Sequence, residues 1–301
     1  MVRVTKTIVP VVSVPPFLTL PTGVRTCSVE LPDVSVAAFR AEPQDPTETI
    51  ARMLLVPGFT GSKEDFIALL PLLAAAGIDA VAYDMPGQYE SRIDDAPESR
   101  FGVDRLAADA TGVARAVWPR GPRPHLLGHS LGGLVAREAI LRSPDEFASL
   151  ILLSSGPGAV PEHQRPGLEV LLQVLPLTNL ADVYEAKLAL DRSKGIEEPP
   201  EPIAGFLRRR WLASNPQALR AKAALLLHAG DDTAVLGTTG VPVLVVLGAD
   251  DDVWWPEIQR AMAAELGAQA VELPGVGHSP AADAPEATAA AVLGFVTPRA
   301  R

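Results

Sequence analysis

Cysteine is almost absent from this chain of 301 residues, and positive charge is scarce. Cys27 is the single cysteine, so no disulfide can form within the chain and a cysteine-based metal site is excluded. The 26 basic residues are outnumbered by 36 acidic ones, giving a formal net charge of −10. This balance disfavours nucleic acid or an anionic membrane surface as the main partner. The lack of cysteine leaves the compartment open and favours the cytoplasm.

Long apolar runs are also lacking. No run reaches the roughly 18 uninterrupted residues that a membrane-spanning helix needs. Arg3 and Lys6 precede an apolar stretch from Ile8 to Leu20 that looks like the start of a secretory signal. Four prolines interrupt the stretch and oppose the short helix of a signal: Pro10, Pro15, Pro16 and Pro21. The pattern therefore favours a protein that is not exported, with export as the alternative.

Motifs for cofactors are missing as well. The chain contains neither a glycine-rich phosphate loop nor a cluster with metal-ligand spacing, so we expect no cofactor and no metal. Hydrophobic residues make up 48% of the chain and charged residues 21%, enough to bury a large core. These features indicate a globular protein whose partner is a small molecule.

Strand-like and helix-like segments alternate along most of the chain. Helical spacing is evident from Phe66 to Leu73, in Val103–Val117, in Leu131–Arg142, near Glu257–Leu266 and through Ala284–Val296. Short apolar strands are expected at Cys27–Leu31, Val34–Arg40, Ala51–Val56, Asp79–Tyr83, Pro124–Gly128, Ala148–Leu153, Val241–Leu247 and Ala270–Leu273. Strands separated by helices of this length predict parallel crossovers and an α/β fold.

The rhythm changes between Gly156 and about Leu225. Proline clusters there separate helical patches such as Leu168–Leu175 and Leu180–Leu190, and no strand is evident. A segment of this length is too long for a simple loop in a compact domain. We therefore expect a core of residues 1–156 and 226–301 with a helical cap insertion at 157–225.

The most informative motif surrounds Ser130, which has Gly128 two residues before it and Gly132 two residues after it, between an expected strand and an expected helix. This pattern is typical of a nucleophile elbow, a sharp turn across which side chains at the two glycine positions would collide. The turn exposes the serine hydroxyl and places the amide of Leu131 at a helix N-terminus, where it can bind an oxyanion.

A serine needs a base, and the chain has five histidines. His278 follows the last expected strand, after Gly275 and Gly277, which let the loop swing an imidazole toward Ser130, and it is the candidate base. His125 is expected to be packed inside its strand. The two histidines in or near the helical insertion, His163 and His228, are expected at the surface.

The remaining parts of such a site also have candidates. Three consecutive carboxylates, Asp250 to Asp252, follow the strand that ends at Leu247, at the sheet edge where sites are built, and one of them can orient the histidine. The Pro57-Gly58-Phe59 turn follows an earlier strand, so the amide of Phe59 can join that of Leu131 in an oxyanion hole. The order serine, acid, histidine is that of hydrolases built on an α/β sheet.

From about residue 27 to 297 the chain resembles the α/β-hydrolase family. The resemblance rests on five motifs: Pro57-Gly58-Phe59, Asp84-Met85-Pro86-Gly87, Gly128-His129-Ser130-Leu131-Gly132-Gly133, Gly248-Ala249-Asp250-Asp251 and Gly277-His278. In that family the acid usually stands three residues after a glycine, which selects Asp251. Counting back four residues from Pro256 selects Asp252 instead. The family's cap enters after the sixth strand, where the helical segment lies here.

The resemblance implies a serine hydrolase that cleaves a carboxylic ester or thioester through an acyl-enzyme, using Ser130, Asp251 and His278. Two alternatives are a C–C bond hydrolase or perhydrolase with the same residues, and a ligand-binding protein without turnover. Cap leucines such as Leu171 and Leu188 are expected to set acyl specificity.

Two other motifs are assigned more ordinary roles. Asp84 is expected to stabilise its turn. The run Arg208-Arg209-Arg210 is expected to form a solvated helix face, with an anionic substrate group as the alternative.

Overall fold

The computed structural model describes residues 13–297, in which eight strands form one sheet. The strands are β1 (Val24–Glu30), β2 (Ser35–Ala41), β3 (Ala51–Val56), β4 (Ile78–Tyr83), β5 (His125–His129), β6 (Ser149–Leu153), β7 (Val243–Gly248) and β8 (Gln269–Leu273). Their order is β1-β2-β4-β3-β5-β6-β7-β8. Only the pairs β1–β2 and β2–β4 are antiparallel within this sheet. All eight expected strands are present; Ala51–Val56 has the expected ends, and the ends of the other strands shift by no more than three residues.

Apolar side chains cover both faces of the sheet. In β3, Leu54 and Val56 belong to one buried cluster, and Met53 and Leu55 belong to the other. Successive residues of a strand point to opposite faces, so a strand covered on both sides needs a continuous apolar run. This explains why the central strands have no alternating pattern in the sequence.

Helices connect the parallel strands. They are α1 (Leu69–Ala75), α2 (Val103–Val117), α3 (Leu131–Arg142), α4 (Arg165–Val174), α5 (Leu180–Ser193), α6 (Ile203–Leu212), α7 (Pro216–His228), α8 (Thr233–Gly237), α9 (Pro256–Glu265), α10 (Pro280–Asp283) and α11 (Pro285–Val296). Phe66 ends a separate 3-10 turn, so the first of these helices begins only at Leu69. The expected last helix, Ala284–Val296, is present as α11, and the short α10 before it is separate because the residue before Pro285 disfavours helical backbone.

The chain between β6 and β7 is helical and contains α4 to α8. Residue 225, the expected end of the insertion, lies inside α7, which continues to His228, and α8 follows before β7 begins. Proline clusters mark several breaks in this segment. They could not mark its end, because the residues from 225 to 228 continue an apolar helical pattern.

The parallel strands β3 to β8 direct their carboxyl ends to one edge of the sheet. The turns that follow β3, β5, β7 and β8 therefore meet there, and ligands of open α/β sheets bind at such an edge.

The apolar stretch from Ile8 to Leu20 begins outside the described residues, so its first part carries no structural statement. Among residues 13–297, no helix has the length and hydrophobicity required to cross a membrane.

Candidate active site

Ser130 stands between β5 and α3 in a backbone conformation that few side chains adopt. Its φ is 55° and its ψ is −123°. Hydrogen bonds hold the turn on both sides, since the Ser130 N–H donates to the Leu153 carbonyl at 3.0 Å and the Gly133 N–H donates to the Ser130 carbonyl at 2.8 Å. The neighbouring strand thus maintains a strained turn, as the elbow motif predicts.

The two glycines of the motif are required by close backbone packing. A Cβ atom on Gly128 would lie 2.3 Å from the carbonyl oxygen of Gly132, and one on Gly132 would lie 2.3 Å from the carbonyl oxygen of Val56. Neither backbone oxygen can move away without displacing the helix or the adjacent strand. The spacing of glycine and serine in the sequence therefore reports a steric constraint.

His278 lies between Ser130 and Asp251. Its Nε2 is 2.9 Å from the Oγ of Ser130, and its Nδ1 is 2.9 Å from the Oδ1 of Asp251. The three residues are 5%, 7% and 2% exposed, respectively. An ionised carboxylate can only accept, so Nδ1 carries the proton of a neutral imidazole and Nε2 accepts from the serine hydroxyl. This arrangement allows proton transfer from Ser130 to His278.

Asp251 is held by more than its histidine. Its Oδ1 also accepts from the Val253 N–H at 2.9 Å, and its Oδ2 accepts from the Gln259 Nε2 at 2.8 Å. Burial by itself raises the pKa of Asp251, but the charge of His278 and these hydrogen bonds together lower the pKa below its usual value. The carboxyl group is therefore ionised at neutral pH.

The other two carboxylates of the loop have different surroundings. Asp250 is exposed, and Asp252 is half-buried. The backbone carbonyl of Asp252 accepts from the Nε2 atoms of His163 and Gln164, both at 2.8 Å. Among the three candidate acids, the one in hydrogen-bond contact with His278 is Asp251.

Backbone contacts bring the histidine loop against the serine turn. The Nε2 of His129 is 2.8 Å from the carbonyl oxygen of His278, and because a carbonyl only accepts, this nitrogen carries the proton. Burial lowers the pKa of His129 to about 3, with a further contribution from His278. A Cβ atom on Gly248 would lie 2.1 Å from the carbonyl oxygen of Gly277, so these two loops also touch.

Phe59 and Leu131, the expected oxyanion donors, are both buried beside the serine turn. Gly58 lies against Ser130, because a Cβ atom on it would come 3.3 Å from the Ser130 Cβ. Within residues 13–297, the N–H groups of Phe59 and Leu131 donate to no acceptor. Two free donors next to a nucleophile are what an oxyanion requires.

The cavity at Ser130 is small. The open space is about 20 Å³, room for one or two water molecules. Three segments contribute to the wall in addition to the sheet edge: the N-terminal segment, the helical insertion and the acid loop. The lining residues are Ser13, Gly58, Phe59, Thr60, Gly61, Asp65, His129, Ser130, Val160, Gln164, Leu226, Val253 and His278. The cap leucines expected to set specificity, Leu171 and Leu188, are not among them.

One expectation about the basic run is wrong. Arg208 and Arg209 are exposed as expected, but Arg210 is 2% exposed. Its guanidinium donates to Asp65 at 2.6 Å and to the carbonyl of Ser13 at 2.7 Å. A buried carboxylate partner neutralises the charge, so Arg210 belongs neither to a solvated face nor to a free anion site.

The sequence reasoning missed Asp65, although a signal for it exists. Ser62 and Asp65 form a capping box with the spacing serine-x-x-acid, and this pattern is readable in the sequence. It marks a helix start but not the cavity that Asp65 lines. Gln259 and Ser13 carry no comparable signal.

The other histidines and Asp84 lie where the sequence indicates. His125 is half-buried and bonds to Ser149, whereas His163 and His228 are exposed. Asp84 accepts from the Lys63 backbone N–H at 2.7 Å and the Glu90 N–H at 3.2 Å, as a turn-stabilising residue would. In the part of the chain that the structure describes, no group of three or more histidine, cysteine or acidic side chains is placed to hold a metal ion.

Comparisons with known proteins agree with this architecture. The chain is 28% identical over 255 residues to the pimeloyl-(acyl-carrier protein) methyl ester esterase of Neisseria meningitidis, covering 83% of this chain and 94% of that protein. It is 27% identical over 246 residues to esterase PIR7B of Oryza sativa, covering 75% and 88%.

A solved hydrolase from Pseudomonas aeruginosa PA01 superposes with a TM-score of 0.73, covering 92% of this chain and all of that chain. Its sequence identity is 24%, so it supports the fold alone. Residues 53–291 match the model of the alpha/beta hydrolase family, a range that includes the serine turn, the acid loop and the histidine loop. The chain therefore belongs to the α/β-hydrolase family and is a hydrolase.

Proposed function

We propose that this protein cleaves a carboxylic ester or thioester of a hydrophobic small molecule through an acyl-enzyme. Ser130 is the nucleophile, His278 the base and Asp251 the orienting acid. The observation that carries the proposal is the continuous hydrogen-bonded line from the Ser130 hydroxyl through His278 to Asp251, with 2.9 Å at each step. A line of this kind activates an otherwise weak nucleophile.

In the first half of the reaction, the Ser130 oxygen attacks the carbonyl carbon of the substrate while His278 Nε2 takes the hydroxyl proton. Asp251 stabilises the imidazolium that forms, and its lowered pKa keeps it ionised for this role. The carbonyl oxygen gains negative charge, which the N–H groups of Phe59 and Leu131 bind. His278 then protonates the leaving alcohol or thiol, and an acyl-enzyme remains.

In the second half, one water molecule attacks the acyl-enzyme and gives its proton to His278. The same two N–H groups bind the second oxyanion, and collapse returns the proton to Ser130 and releases the acid. The open space of about 20 Å³ beside Ser130 admits such a water. Larger groups require the cavity wall to move.

The helical segment at 157–225 is proposed as a cap over the site that sets specificity and leaves the chemistry unchanged. Support comes from Val160 and Gln164, which line the cavity of Ser130, and from Leu226 just beyond the expected end. Val160 and Leu226, together with Phe59 and Val253, form the apolar part of the wall, which favours a hydrophobic acyl group. The esterases that match the chain support an ester substrate, without identifying it.

A fluorophosphonate probe tests the reactive serine directly. We expect covalent labelling of the parent protein and none of Ser130→Ala, whose circular dichroism spectrum should be unchanged. Hydrolysis of a panel of acyl esters and acyl thioesters should fall on the order of 10³-fold or more in Ser130→Ala. Activity above a tenth of that of the parent in this variant would contradict the assignment of Ser130 as the nucleophile.

The same panel separates the alternatives. A protein that labels but hydrolyses no ester or thioester points to C–C cleavage or perhydrolysis by the same residues. A protein that does not label at all points to a hydrolase-fold binding protein.

A further inference from the structure

Gln88 joins two turns at the carboxyl end of the sheet, the turn after β4 and the turn after β3. Its side chain is buried, with 2% exposed. Its Nε2 donates to the carbonyl oxygen of Gly58 at 2.9 Å and to that of Phe59 at 2.7 Å. Both carbonyls belong to the turn that carries the proposed oxyanion donor.

The chemistry of the contact fixes which end of the amide faces this turn. Carbonyl oxygens only accept hydrogen bonds, so the nitrogen of Gln88 must face them. Its Oε1 has no hydrogen-bond partner among the described residues. The buried Oε1 of the side chain therefore stays without a hydrogen bond, while Nε2 donates two hydrogen bonds to a single turn.

The orientation of the Gly58 carbonyl determines the direction in which the Phe59 N–H points. The carbonyl of Gly58 and the N–H of Phe59 belong to the same peptide group, and this peptide is trans. In a trans peptide the C=O and the N–H point in opposite directions, so a hydrogen bond that fixes the carbonyl oxygen also fixes the direction of the N–H. The Phe59 N–H has no acceptor in the described residues and lies next to Ser130.

Gln88 itself is rigidly placed. Its N–H donates to the Met85 carbonyl, and its carbonyl accepts from the Ser91 N–H, both at 2.9 Å. Gly87 before it has a φ of 78°, and a Cβ atom there would lie 2.5 Å from the Cβ of Ala218. The side chain is thus carried by a turn that cannot shift easily.

We propose that Gln88 is a positioning residue that holds the Gly58–Phe59 peptide so that the Phe59 N–H faces the developing oxyanion. This inference rests on the proposed function, because it assigns a second role within that site. Without Gln88 the Gly58 carbonyl keeps only its longer hydrogen bond from the Gly61 N–H, at 3.3 Å, so the peptide is held less firmly and the donor is lost from part of the population. Catalysis falls even though Ser130, His278 and Asp251 stay in place.

The test replaces Gln88 with methionine, which keeps the length and lacks the donor. Removing an oxyanion donor outright costs about 10²–10³-fold in kcat, so loosening one should cost about 10–100-fold. KM should change less than threefold. The affinity of a trifluoromethyl ketone, which forms a tetrahedral anionic adduct with the serine, should fall in parallel with kcat, whereas the affinity of the product acid should not.

Two further variants make the comparison specific. Gln88→His places one ring N–H donor in the same direction and should recover part of the lost kcat. Ser91→Ala is the matched control, because its buried hydroxyl accepts from the Ala37 N–H at 2.9 Å in the same turn without touching Gly58 or Phe59. It should lower the melting temperature and leave kcat and the inhibitor affinity within about twofold.

The outcomes separate this inference from the proposed function. If the parent labels with fluorophosphonate but Gln88→Met keeps its kcat and inhibitor affinity, the positioning role is wrong and the hydrolase assignment stands. An equal loss of affinity for the ketone and the product acid indicates a purely structural role and also overturns it. If Gln88→Met fails to fold, Gln88→Leu, which also lacks the donor, takes its place, and an unchanged kcat and inhibitor affinity in that variant overturns the inference. An unlabelled parent contradicts the proposed function instead.

Discussion

The side-chain amide of Gln164 donates to the backbone carbonyl of Asp252 at 2.8 Å. This bond ties the first turn of the helical insertion to the residue that follows Asp251. The backbone carbonyl of Asp252 therefore helps to hold the loop in place, while the side-chain carboxylate of Asp251 contacts His278. Asp251 and Asp252 thus have different contacts, and substitutions at the two positions should have different effects on activity.

Replacing each aspartate of the loop with asparagine should give unequal losses. Asp251→Asn should reduce kcat/KM by about 10²–10⁴-fold, because an amide stabilises no imidazolium and favours the wrong tautomer of His278. Asp250→Asn and Asp252→Asn should stay within about threefold of the parent. The measurement is kcat/KM on one activated ester. A larger loss in Asp252→Asn than in Asp251→Asn would show that the acid is one residue further along.

Leu226→Ala should shift acyl specificity toward longer chains. Leu226 lines the cavity, and deleting three of its carbon atoms opens space beside Ser130. One methylene in such a pocket is worth about 10-fold or more in discrimination, so the ratio of kcat/KM for octanoyl to acetyl ester should rise at least about 10-fold. Leu171→Ala is the matched control, since Leu171 is equally buried but lies outside the cavity. Equal ratios in both variants would show that Leu226, at the boundary of the proposed cap, does not set acyl specificity.

Lowering the pH should reduce the free energy of unfolding because of His129. Burial lowers its pKa to about 3 from the ordinary value of 6.5, so below pH 6.5 the unfolded chain takes up a proton that the folded chain does not. The free energy of unfolding therefore falls as the pH drops from 6.5 toward 3. At pH 5 this residue alone should account for about 2 kcal/mol.

Urea unfolding of the parent and of His129→Gln at pH 7.5 and pH 5 measures this contribution. Glutamine can still donate to the His278 carbonyl but does not titrate, so the loss between the two pH values should be about 2 kcal/mol smaller in the variant. Equal losses in the two proteins would show that other groups cause the acid sensitivity.

Arg210 and Asp65 should show strong coupling in stability. Arg210→Met leaves the buried carboxylate of Asp65 without its cation and should cost about 3–5 kcal/mol in urea unfolding at neutral pH. Adding Asp65→Leu removes the isolated charge and should recover a large part of that loss. The measurement is a double-mutant cycle. Additive losses would mean that the 2.6 Å pair contributes little beyond packing.

The sequence predicted the features that depend on residues close together in the chain. Continuous apolar runs identify the central strands, and the glycine spacing around Ser130 reflects a local steric constraint. The two open candidates for the acid could not be separated, because the choice depends on which carboxylate reaches His278 across a gap of 27 residues. Spacing within the loop carries no information on that contact.

Buried polar contacts between distant segments were the least predictable. Arg210 and Asp65 are 145 residues apart in the chain, and a run of three arginines has the composition of a surface. Gln88 and Gln259 have no charge pattern or spacing that would single them out. Their roles depend on which backbone oxygen or carboxylate the fold brings within reach of an amide.

His278, the proposed base, follows the last strand of the sheet. β8 is an edge strand that pairs with β7 alone, and most of its side chains are at least partly exposed, while Ser130 follows a central strand. Edge segments open locally at lower cost than the global unfolding free energy. We therefore expect the enzyme to lose activity on heating through fraying of its last strand before its core melts, and a crosslink that secures this strand to extend its working lifetime.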